Sequence, residues 1–204
     1  MTGALACDGF SLKRHSPKGV VMRYLKAIAQ DLGQTGQANT VLLKFYNDML
    51  CLPEQQVGIA VAVDHTGDAL VDFAMAGDID LDGRFSLRDQ HLLRAFTDVF
   101  LQLNWFNQGG NEQRYLKMLA ENYHHDGSPN VVKLEFHEDC TASGPQTLVY
   151  RAAGYDGDND GIFESFTNSD VDGNGIADKA DKELIRRLIK SFLAFDAWST
   201  RLRS

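Results

Sequence analysis

The sequence predicts an α+β fold written twice, each copy holding a helix, a β-hairpin, an acidic loop and a long amphipathic helix. Three observations lead there. Distinct segments recur in one order, 91 or 92 residues apart. A stretch of helical hydrophobic period closes each copy. Short alternating runs bounded by turn residues stand between.

The repeat is legible in the letters. "DIDLDGRFSLRD" from Asp78 is answered by "DVDGNGIADKAD" from Asp170, and "DHTGDALVD" from Asp64 by "DGDNDGIFE" from Asp156, both 92 positions on. "RYLKAIAQDLGQTG" from Arg23 returns as "RYLKMLAENYHHDG" from Arg114, and "VLLKFYND" from Val41 as "VKLEFHED" from Val132, both 91 positions on. One residue inserted in a turn accounts for the change. The repeats are placed at 1–107 and 108–204, forming one pseudo-symmetric unit.

Each element follows from its pattern. Val21, Tyr24, Leu25 and Ile28 stand at helical spacing, as do Tyr115, Leu116 and Leu119, so a helix opens each repeat. Leu43 and Phe45 alternate with polar residues, as do Leu134 and Phe136, which reads as a strand. Turns at Pro53 and Pro145 lead to second strands, "VGIAVAV" and "TLVYRAAGY". The closing helices carry Leu92, Leu93, Phe96, Val99, Phe100 and Leu103, then Leu184, Ile185, Leu188, Ile189, Phe192 and Leu193, as core-facing stripes. Trp105, Phe106 and Trp198 are read as core residues.

Between these elements lie the acidic loops. Carboxylates at every second position repel one another unless a cation sits between them. A twelve-residue calcium loop takes oxygens from positions 1, 3, 5, 7, 9 and 12, with glycine at 6 for the turn. In the first loop these are Asp78, Asp80, Asp82, the Arg84 carbonyl, Ser86 and Asp89, with Gly83 at the turn. In the second they are Asp170, Asp172, Asn174, the Ile176 carbonyl, Asp178 and Asp181, with Gly175. The nine-residue segment offers Asp156, Asp158, Asp160, the Ile162 carbonyl and Glu164 as a third site. Its counterpart keeps Asp64, Thr66, Asp68 and Asp72 but has Ala69 where glycine would ease the turn, and reads as a plain hairpin turn.

The twelve-residue loops resemble those of the EF-hand superfamily. With aspartate at position 12 and no helix before the loop, "GDIDLDGRFSLRDQHLL" and "SDVDGNGIADKADKELI" are more similar to the dockerin half-hand. "DGDNDGIFE" is similar to the calcium loops of FG-GAP repeats. The resemblance covers about 20 residues per repeat and implies metal binding, with Ca²⁺ as the ion, rather than cohesin binding. It further implies that the two loops pair about a pseudo-twofold axis, through short strands at Phe85 and Ala177.

Charge sharpens the functional reading. The net charge of −8 argues against a nucleic-acid partner, and fifteen of the 28 acidic residues fall in the four loop segments. No apolar run reaches the roughly 20 residues that span a bilayer. "MTGALACDGF" holds no signal-peptide core, which reads as cytoplasmic by default and as secreted or cell-surface if the N-terminus was trimmed. Cys7, Cys51 and Cys140 lack metal-site spacing. GxSxG, HExxH and P-loop motifs are absent, and His124 and His125 read as loop residues. The expectation is a non-enzymatic calcium-binding protein with a structural, buffering or regulatory role. The alternative is a calcium-stabilised protein-interaction module.

Overall fold

A computed structural model describes residues 21–49, 53–107, 114–123, 128–138 and 145–196. The first repeat supplies strands β1 (Val21–Gln30), β2 (Thr40–Met49), β3 (Gln55–Val63) and β4 (Phe73–Met75), then helix α1 (Leu87–Phe100). The second supplies β5 (Tyr115–Glu121), β6 (Val131–His137), β7 (Leu148–Tyr155) and β8 (Ser165–Phe166), then α2 (Lys179–Leu193). All eight strands form one antiparallel sheet in the order β4-β3-β2-β1-β5-β6-β7-β8. No helix among the described residues is long and apolar enough to cross a membrane.

The expected α+β fold with a helix opening each repeat and paired EF-hand-like loops is therefore corrected: the fold is β-rich, and those opening segments are the central strands β1 and β5. The reason is burial on both faces. Leu25, Ala27 and Ala29 join the core beneath the helices, while Tyr24, Lys26 and Ile28 on the opposite face are buried too. A strand covered on both sides carries apolar residues without alternation, and that run imitates a helical stripe. Loop pairing fails as well. Neither Phe85 nor Ala177 lies in a strand, and Phe85 is exposed. The sheet itself provides the junction between repeats.

That junction is symmetric. β1 pairs with β5 so that Lys26 faces Lys117, 91 residues on, with Tyr24 opposite Leu119 and Ile28 opposite Tyr115. A pseudo-twofold axis thus passes through the Lys26–Lys117 pair. Tyr24 stacks on Tyr46 across β1 and β2, with ring centroids 5.1 Å apart, and Tyr115 stacks on His137 across β5 and β6 at 4.6 Å. The register irregularities at Phe45/Tyr46 and Phe136/His137 are equivalent as well.

Both helices cover one face of the sheet, where Phe96, Phe100, Phe106, Phe136, Phe192 and Phe195 are buried together. Trp105 meets Phe136 edge-on at 5.4 Å. The helix–sheet fit differs between repeats. A Cβ on Gly154 would stand 2.4 Å from Ile189 Cδ1, whereas the equivalent positions of the first repeat hold Ala62 and Thr97, both fully buried. A larger residue on the helix matches a smaller one on the strand. His124, His125, Trp198 and the three cysteines lie outside the described residues.

Candidate metal centres

Each twelve-residue loop runs into the N-terminus of a helix, and its last aspartate belongs to both. Ser86 caps α1, accepting from Arg88 N at 3.1 Å, while Asp89 Oδ2 accepts from Ser86 N at 2.8 Å and Oδ1 from Ile79 N at 2.9 Å. Asp178 caps α2 in the same way, and Asp181 accepts from Asp178 N at 2.8 Å, Val171 N at 2.8 Å and Asp172 N at 3.1 Å. Position 12 thereby closes the loop on itself and completes a capping box. Aspartate suits this double task because its short side chain stays beside the backbone.

Closure brings carboxylates together. Asp78, Asp80 and Asp89 form one group in which one oxygen of each lies within 4.8 Å of the others, and Asp170, Asp172 and Asp181 form a second. Asp156, Asp158 and Glu164 form a third by the same measure. Asp78 Oδ1 is buried and has no hydrogen-bond partner, although Oδ2 accepts from Gly83 N at 3.0 Å. A buried carboxylate oxygen left bare amid two further carboxylates fits a cation.

The electrostatics agree. Burial pushes the Asp80 carboxyl above the usual range, and the Asp89 and Asp82 charges add to it. Burial likewise pushes Asp172 up, reinforced by Asp181 and Asp170. Burial also acts upward on Asp89, but the N–H groups of Ser86 and Ile79 outweigh it and hold this carboxyl below its ordinary value. The first loop thus sets one aspartate held below its ordinary value, Asp89, beside another pushed above it, Asp80.

Three other expected carboxylates, Asp82, Asp160 and Asp178, fall outside these three groups. Asp82, Asp160 and Asp178 are exposed; Asp82 and Asp160 accept from the loop N–H groups of Arg84 at 2.8 Å and Ile162 at 2.8 Å, and Asp178 accepts from the α2 N–H of Ala180 at 2.6 Å. Ser86 Oγ is engaged as a helix cap. Asn174 accepts from Ile176 N at 2.8 Å and donates to Asp172 Oδ2 at 2.9 Å. The cationic side chain of Arg84 and the aliphatic side chains of Ile162 and Ile176 have no oxygen to offer, so only their carbonyls can serve as ligands.

The Asp64 segment has no three-acid group of this kind. Asp64 is buried and spends its oxygens on Gly67 N at 2.6 Å and Ala69 N at 2.7 Å, while Asp72 accepts from His65 N at 2.7 Å and Thr66 N at 3.0 Å. Ala69 sits at φ 64°, where its counterpart Gly161 sits at φ 88°. Arg94 donates to the carbonyls of Val71 and Asp72 from α1.

The spacing rules did not single out Arg88, whose Nε lies 2.9 Å from Asp80 Oδ2. The one signal in the sequence was a basic residue in a helix first turn, where the macrodipole disfavours it. No family model, curated protein or solved structure matches the chain.

Proposed function

We propose that the protein is a non-catalytic calcium-binding protein whose ions hold the loop–helix junctions of a duplicated sheet. The observation that carries this reading is the gathering of three carboxylates in each of three loops, with one oxygen, Asp78 Oδ1, buried and unpartnered. The ligands would be Asp78, Asp80 and Asp89 at one site, Asp170, Asp172 and Asp181 at a second, and Asp156, Asp158 and Glu164 at a third. Backbone carbonyls, the remaining loop oxygens and water would complete the six to eight oxygens that Ca²⁺ takes. The role is structural, because each twelve-residue loop fixes a helix N-terminus and binding to the folded chain alone stabilises it. Calorimetric titration of chelator-treated protein with Ca²⁺ and Mg²⁺ tests this. At least two Ca²⁺ per chain support it, and no binding at millimolar calcium refutes it.

A calcium-stabilised interaction module is the second reading. One observation favours it: Ile59, Phe73 and Met75 are each at least half exposed on strands β3 and β4. Calcium-dependent capture of a defined partner would support it.

A further inference from the structure

The two twelve-residue loops share carboxylates at positions 1, 3 and 12 and differ, among other positions, at position 11. Arg88, in the first turn of α1, folds back so that Nε lies 2.9 Å from Asp80 Oδ2 and Nη2 lies 2.8 Å from Asp196 Oδ2, just past α2. The residue 92 positions on is Ala180, so the second loop carries no such group. Asp80 is buried, whereas the Arg88 side chain is 58% exposed. Four carboxylates in the first loop face two guanidinium groups within the same twelve residues, Arg84 and Arg88, while the second loop has one lysine, Lys179. A basic residue at a helix N-terminus opposes the macrodipole. Its placement makes sense as a counter-ion for Asp80.

We propose that Arg88 is a resident counter-ion that competes with the metal for Asp80, and that loading the first loop releases Arg88 and weakens its tie to Asp196. The inference rests on the metal reading of the loops. A divalent ion shared by Asp78, Asp80 and Asp89 needs the carboxylate that the guanidinium now holds. A unit charge roughly 5 Å from a divalent ion, in a water-like dielectric, weakens binding on the order of tenfold. The second loop therefore fills before the first. Because Arg88 also holds Asp196, filling the first loop is felt at the far end of α2.

Calcium titration of the full chain, unmodified and as Arg88→Gln, reads the competition. One site should tighten about tenfold in the variant while the others keep their affinity. Independently, the Arg88 Nε–H signal in an amide-type NMR correlation spectrum should shift when calcium fills the first loop. Its assignment comes from the signal lost in Arg88→Gln or, should that variant misfold, in Arg88→Lys. Unchanged affinities in a variant that still binds calcium at the first loop would overturn the proposal, as would an unmoved Nε–H signal. Absence of calcium binding in both proteins would instead defeat the metal reading, and this inference with it.

Discussion

Asp181 is where loop, helix and carboxylate group meet, and replacing it separates their contributions. Its carboxylate is almost fully buried and accepts from three backbone N–H groups at 2.8–3.1 Å. Hydrogen bonds to a charged group contribute about 1.5–3 kcal/mol each and are not additive, so Asp181→Ala should destabilise by about 4 kcal/mol. Asp181→Asn keeps the volume and one acceptor oxygen. It also relieves repulsion with Asp170 and Asp172, so its cost without calcium should be smaller, about 2 kcal/mol. Calcium at a hundred times its dissociation constant stabilises the folded chain by about 2.7 kcal/mol per site. The unmodified protein receives this at the second loop and Asp181→Asn does not. The gap between the two should therefore widen from about 2 kcal/mol in chelator to about 5 kcal/mol in calcium. Urea unfolding followed by tryptophan fluorescence measures both gaps. A gap that is the same in chelator and in calcium would refute the reasoning, because Asp181 would then be a helix cap and nothing more.

Three further outcomes follow from the fold. Gly154→Ala should destabilise by about 1–3 kcal/mol through its clash with Ile189, and adding Ile189→Val should recover part of that loss in denaturant melts, since valine lacks the 2.4 Å Cδ1 contact. Ala69→Gly should raise stability by about 0.5 kcal/mol, the relief of a left-handed alanine less the greater freedom of unfolded glycine; a thermal melt decides it. Burial, aided by Lys117 and Lys26 and opposed by Glu135, holds the His137 imidazole below its ordinary value of 6.5, so the unfolded chain takes up the proton first as pH falls. Stability present above pH 6.5 should drain away just below it. His137→Gln, which can still reach Thr147, should flatten that part of the profile in urea midpoints taken from about pH 7.5 to about pH 5.

The loops were legible in the sequence because their chemistry is local. The acid spacing, the glycine at φ 88° in the first loop and the capping box all lie within twelve residues. The duplication was legible too, and its offset of 91 reappears in the facing pair Lys26–Lys117. The sheet was not. Tyr24 and Leu25 are both fully buried although they point to opposite faces, so β1 shows no alternation to read. Strand pairing is also non-local: nothing near Lys26 in the chain announces Lys117. Only half of Arg88 was out of reach in this way: its tie to Asp196 spans 108 residues, whereas its tie to Asp80 lies within the loop.

The central claim is that these loops hold calcium in the folded protein. Anomalous diffraction from crystals grown in calcium, or soaked in a lanthanide, tests it most directly. The account predicts peaks among Asp78, Asp80 and Asp89 and among Asp170, Asp172 and Asp181, with a third among Asp156, Asp158 and Glu164 and none at Asp64. Both twelve-residue loops empty under millimolar calcium, with their carboxylates placed as described, would contradict it.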